Sequence, residues 1–294
     1  MQKLATIVAA SGFLACAGAA QAGTARLVLE SNADRSGGAE LFQASYASYA
    51  DFLGNAANST GFLNQDIGAD YSVADIAYDH GAYRLLLESN ADKSGGAELF
   101  VASYNSWADV LNNTASSTQF LDQDIGADYS VHGFTYDGDA YRLLLESNAD
   151  KSGGAELFIA SYSSYADFLG NTASATQFLD QDIGGDYSVA GLGFDNGAYR
   201  LLLESNADKS GGAELFIASY NSYADFLGNT ASATQFLDQD IGGDYSVHGF
   251  EFETDPAGPG NGGGGVPEPA TWMMMLAGFA GIGAVRRRLR PQVA

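Results

Sequence analysis

Nine residues with the oxygen donors of a cation-binding loop recur four times: Asn-Ala-Asp-(Lys/Arg)-Ser-Gly-Gly-Ala-Glu, at 32–40, 90–98, 148–156 and 206–214. Oxygen side chains stand at the first, third and fifth positions (Asn32, Asp34, Ser36; Asn90, Asp92, Ser94; Asn148, Asp150, Ser152; Asn206, Asp208, Ser210). A glycine follows, and an acid closes each copy (Glu40, Glu98, Glu156, Glu214). Hard Ca²⁺ wants several oxygen ligands from a sharply turned backbone, so Ca²⁺ is the one cofactor these residues suggest. The basic fourth position and the early acid depart from the calcium pattern. The same residues also compose a β-turn, with Asn and Asp bonding the local backbone and Gly-Gly supplying positive φ. A second acidic loop invites the same two readings: Asp122, Asp124 and Asp128, then Asp180, Asp182 and Asp186, then Asp238, Asp240 and Asp244, with Asn64 replacing the first Asp in the first copy.

Paired carboxylates raise glycoside hydrolysis, in which one acid protonates and another acts as base or nucleophile. Four equivalent acid clusters argue against it, because catalysis needs one asymmetric constellation and no unique group of Ser, His, Cys or Lys supplies it. His132 and His248 follow Tyr-Ser-Val in two copies where Ala74 and Ala190 stand in the others, and His80 lies in a turn. That pattern fits incidental strand and surface residues. No phosphate-binding Gly-rich loop, HExxH or GxSxG pattern is present, and the chain is read as non-enzymatic. A fourfold Ser-Tyr-x-Ser-(Tyr/Trp) motif offers a different chemistry, through Tyr46 and Tyr49, Tyr104 and Trp107, Tyr162 and Tyr165, and Tyr220 and Tyr223. Ring faces cover the apolar C–H groups of a sugar while hydroxyls and amides hold its polar groups, so these residues are candidate polysaccharide ligands. The competing reading makes them filler between repeated units.

The elements that position these residues follow from the repeat. Arg26, Arg84, Arg142 and Arg200 open equivalent runs, each 58 residues after the last. The final two copies, 142–194 and 200–252, differ at only 4 of 53 positions, so recurrence between them says little about importance. Within a unit, Tyr187 to Asp195 reads as a strand, Asn196-Gly197 as a hairpin turn and Ala198 to Ser205 as the next strand. A polar loop then leads to a third strand over Ala213 to Tyr220. Leu201-Leu202-Leu203 and Leu215-Phe216-Ile217 do not alternate with polar residues, which predicts strands covered on both faces. Tyr223 to Leu227 reads as a helical turn and Thr234 to Asp240 as a short outer strand. Four antiparallel strands per unit, with faces that neighbours must cover, predict an all-β, four-bladed β-propeller-like toroid; an open β-repeat array is the alternative. The segment from Gly23 begins at a unit's second strand, and 245–252 is an unaccompanied first strand. Ring closure would pair it with the first copy and remove exposed edges.

Charge separates body from ends. The chain of 294 residues carries a net charge of -23, with 46% hydrophobic and 12% aromatic residues, enough apolar surface to exclude an acidic disordered polymer. Between Gly23 and Gly265 stand 8 basic and 35 acidic residues, a net of -27, which excludes nucleic acid as a partner. Residues 1–22 read as a signal peptide for the Sec export machinery: Lys3, an apolar run and Ala20-Gln21-Ala22 as the cleavage site. Cleavage there removes Cys16, the one cysteine, and with it any disulfide. Residues 254–265 form a Gly/Pro linker.

The C-terminus reads Val266-Pro267-Glu268-Pro269, an apolar helix over 270–285, and an arginine cluster of Arg286, Arg287 and Arg288. At ~1.5 Å per residue the helix spans about 24 Å, slightly less than a ~30 Å hydrocarbon core. Residues 266–290 closely resemble the PEP-CTERM sorting signal of Gram-negative bacteria. The resemblance implies recognition of Pro267, Glu268 and Pro269 by an exosortase, arginines held on the cytoplasmic side, and passage of the body across the inner membrane. It further implies a cell-surface or extracellular-matrix location and an association with exopolysaccharide and biofilm. A permanent anchor in the inner membrane is the alternative use of the same helix.

Overall fold

The structure is a computed structural model and describes residues 23–32, 40–65, 67, 70–90, 99–121, 125, 129–148, 157–179, 183, 187–206, 215–237 and 245–253. The expected signal peptide, linker and sorting helix lie outside the described residues, as do the middle positions of the four nine-residue loops. Each copy supplies three strands and a helical turn. The first runs β1 (Thr24–Ser31), β2 (Leu41–Tyr46), α1 (Tyr49–Leu53) and β3 (Ser59–Phe62). The second adds an inner strand: β4 (Tyr71–Asp79), β5 (Ala82–Ser89), β6 (Leu99–Tyr104), α2 (Trp107–Leu111) and β7 (Ser117–Leu121). The third repeats this with β8 (Tyr129–Tyr136), β9 (Tyr141–Ser147), β10 (Leu157–Tyr162), α3 (Tyr165–Leu169) and β11 (Ala175–Leu179). The fourth is β12 (Tyr187–Asp195), β13 (Ala198–Ser205), β14 (Leu215–Tyr220), α4 (Tyr223–Leu227) and β15 (Ala233–Leu237), after which β16 (Tyr245–Glu253) follows.

These form four antiparallel sheets, β16-β1-β2-β3, β4-β5-β6-β7, β8-β9-β10-β11 and β12-β13-β14-β15, arranged as a four-bladed propeller. The last strand completes the first blade, pairing from Thr24↔Glu253 to Ser31↔Tyr245, which is the expected closure. Inner strands β4, β8, β12 and β16 contact one another around the ring. Each bulges by one residue, leaving Ala74, His132, Ala190 and His248 outside the register. Bulges sharpen local twist, which suits strands crowded around an axis. The turn after β12 has φ 48° at Asn196 and 88° at Gly197, the two positive values a type I′ hairpin requires.

The leucine runs are buried on both faces, as their lack of alternation predicts: Leu201, Leu202 and Leu203 are 1%, 0% and 7% exposed. Each helical turn begins with a serine cap, Ser48, Ser106, Ser164 or Ser222, whose hydroxyl accepts the N–H three residues on. It then drives one side chain into the core: Phe52, Val110, Phe168 or Phe226. In the second blade the smaller Val110 accompanies the larger Trp107, an exchange of volume between two adjacent core contacts.

Repeated polar contacts join the blades. Glu30, Glu88, Glu146 and Glu204 reach across to the next inner strand and accept the N–H of Val73, Val131, Val189 and Val247 at 2.7, 2.6, 2.6 and 2.6 Å. The fourth contact is made onto β16, so the seam between the chain ends is built like the other three.

Candidate functional site

The Ser-Tyr-x-Ser-(Tyr/Trp) motif divides its two aromatic residues between different tasks. The second one, at the start of each helical turn, packs under an arginine from the preceding blade. Arg26 lies 4.6 Å from the Trp107 ring centroid, Arg84 4.2 Å from Tyr165, Arg142 3.8 Å from Tyr223 and Arg200 4.2 Å from Tyr49. The tyrosine hydroxyls also meet serines of the neighbouring blade, Tyr49 with Ser219 at 3.1 Å, Tyr165 with Ser103 at 3.1 Å and Tyr223 with Ser161 at 3.0 Å. Cation–π stacking plus a hydroxyl contact makes these residues inter-blade clamps.

The first aromatic residue of the motif lines a groove on its own blade. Tyr46, Tyr104, Tyr162 and Tyr220 are at most 2% exposed, and burial pushes each phenol up to about 12. Three of their hydroxyls donate to an asparagine at the helix end, Tyr104 to Asn113 at 3.2 Å, Tyr162 to Asn171 at 3.3 Å and Tyr220 to Asn229 at 3.2 Å. Those asparagines and Asn55 adopt φ of about 50°, a left-handed conformation that Asn tolerates better than most residues.

The four grooves have volumes of about 310, 290, 320 and 320 Å³ in blade order. Opposite the buried tyrosine, each outer strand presents a phenylalanine to solvent: Phe62, Phe120, Phe178 and Phe236 are 57%, 55%, 54% and 55% exposed. Each packs edge-on against a second ring one strand inward, Phe42, Phe100, Phe158 or Phe216, at 5.1 to 5.4 Å between centroids. Thr60, Thr118, Thr176 and Thr234 add a hydroxyl beside the exposed ring. None of the described lining residues is charged. The exposed phenylalanines were not among the sequence candidates; their signal is a Phe-Leu pair closing a run of small and polar residues in every copy, in which alternation turns the Leu inward and leaves the Phe on the outer face.

Of the nine-residue loops, the described ends are structural. Ser246, Ser72, Ser130 and Ser188 donate to the side-chain oxygens of Asn32, Asn90, Asn148 and Asn206 at 3.2, 3.0, 3.1 and 3.1 Å. Glu40 is fully buried and accepts the N–H of Ile67 from the neighbouring acidic loop. In the first unit Glu40 and Ile67 thus bring the described ends of the two acidic loops together. Asp34, Ser36, Asp92, Ser94, Glu98, Asp150, Ser152, Glu156, Asp208, Ser210 and Glu214 lie outside the described residues. Among the described residues no three His, Cys, Asp or Glu side chains gather as a metal site.

Two further carboxylates, absent from the sequence candidates, occupy the propeller axis. Asp75 and Glu251 are 0% and 2% exposed, and desolvation pushes both carboxyls well above the usual carboxylate range. Their signal lay in broken repetition: Asp75 corresponds to Gly133, Gly191 and Gly249, and Glu251 to Ala77, Thr135 and Gly193.

Residues 265–288 match the PEP-CTERM protein-sorting motif. Its Pro267, Glu268, Pro269, Arg286, Arg287 and Arg288 lie outside the described residues. The motif indicates an exported protein that is processed by an exosortase from a precursor anchored through its C-terminus. Comparison with curated proteins gives no match. Among solved structures, the chain is similar to an exo-β-1,3-galactanase from Phanerochaete chrysosporium, at 14% identity and a TM-score of 0.33, covering 67% of this chain and 43% of that one. It is also similar to a subtype N10 neuraminidase-like protein of A/little yellow-shouldered bat/Guatemala/060/2010, at 13% identity and a TM-score of 0.28, covering 56% of this chain and 43% of that one. The chain therefore spans less than half the length of either protein, and likenesses this remote assign no activity.

Proposed function

We propose that this exported, exosortase-processed protein acts outside the inner membrane as a non-enzymatic scaffold that binds a neutral exopolysaccharide through its four blade grooves. The observation that carries this reading is the exposed phenylalanine placed at the same register in every blade. A half-exposed Phe beside a groove leaves apolar area in water that a protein gains by covering. Its neighbours are a second aromatic ring, an asparagine and a threonine hydroxyl, which together suit a sugar's C–H face and hydroxyls. The absence of charge among the described lining residues, on a body with a net charge of -27 by sequence, favours a neutral polymer over a uronate-rich one.

Four modest sites on one rigid ring gain through avidity when the ligand is itself a repeating chain. The combined variant Phe62→Ala, Phe120→Ala, Phe178→Ala and Phe236→Ala is expected to lose co-sedimentation with the producer's exopolysaccharide, while each single variant loses only a few-fold. Undiminished co-sedimentation of the combined variant would overturn the binding reading. Sorting is tested separately: replacing Pro267-Glu268-Pro269 with alanines is expected to leave the C-terminal tail attached, as read by the intact mass of the surface-extracted protein. Normal tail removal in that variant would contradict exosortase processing.

A further inference from the structure

The carboxylate of Asp75 sits where the four inner strands meet, and it is bonded by one N–H from each of them. Oδ1 accepts from Ile76 at 2.8 Å and Phe250 at 3.0 Å; Oδ2 accepts from Phe134 at 2.8 Å and Leu192 at 3.2 Å. Residues 76, 134, 192 and 250 are the same position in four repeats, each 58 residues from the next. Fourfold repetition therefore aims four equivalent donors at one point on the axis. Without an acceptor there, four buried N–H groups would go unsatisfied together, each having lost its water with no partner in exchange. Burial pushes the Asp75 carboxyl upward, and the four N–H groups pull it the other way. Each oxygen accepts two of the four N–H groups, an arrangement suited to the acceptor-only oxygens of a carboxylate.

The same repetition explains why only one copy carries an acid. A Cβ on Gly133 would stand 2.8 Å from Leu192 Cβ, and one on Gly191 would stand 2.8 Å from Phe250 Cβ. At Gly249 the nearest atoms are 3.2 Å away, and Asp75 Oδ1 itself is 3.6 Å from the added carbon. The three glycines let the inner strands approach closely enough for their N–H groups to converge, and the point of convergence then has room for one carboxylate. The second acid, Glu251, is engaged separately, accepting from the Phe252 N–H at 2.7 Å and the Thr135 hydroxyl at 3.0 Å.

We propose that the propeller axis is a four-donor binding site for a small carboxylate, and that the chain supplies its own ligand in Asp75. This assigns Asp75 a role as an internal ligand that ties all four blades together, including the closing strand β16.

The test is to vacate the site and offer the ligand from solution. In the full chain, Asp75→Gly restores the glycine of the other blades. Its melting temperature is expected to fall, then to rise saturably with sodium formate, by roughly 5–10 °C at a hundredfold excess over the dissociation constant. The parent protein, its site filled, should respond to formate no more than to sodium chloride at the same concentration. A folded Asp75→Gly variant indifferent to formate, or a parent that responds equally, overturns the proposal. Should Asp75→Gly not fold, the double variant Asp75→Gly/Gly249→Asp moves the carboxylate to the one other blade with near-sufficient space. Recovery of a cooperative fold there supports the proposal, and failure of both variants to fold overturns it.

Discussion

Truncation of the chain before Tyr245 is expected to abolish cooperative folding of the whole ring, and adding a peptide of residues 245–253 is expected to restore it. The strand removed, β16, is the inner strand of the first blade although it comes last in the chain. Its Val247, Phe250 and Phe252 are 4%, 0% and 1% exposed. Full burial of such side chains is worth roughly 1.5–3 kcal/mol each, so the three together contribute about 5–9 kcal/mol, set against a domain stability on the order of 5–15 kcal/mol. The loss extends beyond apolar area. Val247 no longer donates to Glu204, and Phe250 no longer donates to Asp75, so two buried carboxylates lose a donor at once. Circular dichroism and limited proteolysis read the outcome. A truncated chain that melts cooperatively near the parent temperature would show that the ring does not depend on closure.

The second large effect separates two phenylalanines ten residues apart. Phe168→Ala is expected to cost about 3–5 kcal/mol, whereas Phe178→Ala is expected to stay within about 0.5 kcal/mol of the parent, both measured by denaturant unfolding. Phe168 is fully buried, packed 4.6 Å from the Phe134 ring and 5.4 Å from that of Tyr162. Its removal leaves a cavity among the rings of Phe134, Tyr141, Tyr162 and Tyr165, which strand pairing keeps from collapsing inward. Phe178 stands 54% exposed on the outer strand and touches Phe158 edge-on at 5.2 Å. Little fills or empties when it is cut back. If the exposed ring serves a ligand, its loss appears in polysaccharide binding and not in stability. Equal destabilisation by the two changes would mean that the outer strand is part of the core, and the groove reading would fail with it.

Much of the architecture was legible because repetition made it so. A period of 58 residues, strands without alternation, the Asn196-Gly197 turn and the solitary last strand are local or periodic features, and they led to four closed blades. The helical turn at Tyr223 to Leu227 and the outer strand after it were also readable, the strand being described over Ala233–Leu237 while 238–240 of its expected span lie outside the described residues. Site residues were legible only in part. Both aromatic positions of the Ser-Tyr-x-Ser-(Tyr/Trp) motif look alike in sequence, yet Tyr162 lines a groove of its own blade while Tyr165 clamps Arg84 of another. Three residues separate them, but a strand end and a helical turn send their side chains to different surfaces.

The sequence by itself determined the number of units, their strands and the sorting signal, because those depend on composition and spacing along the chain. Tertiary structure alone decided which residues share a point in space. Ile76, Phe134, Leu192 and Phe250 are far apart in the chain, yet their N–H groups all meet the Asp75 carboxylate. They meet because closure of a fourfold ring brings one backbone position of every repeat to a common axis, where donors aimed inward must share a single acceptor.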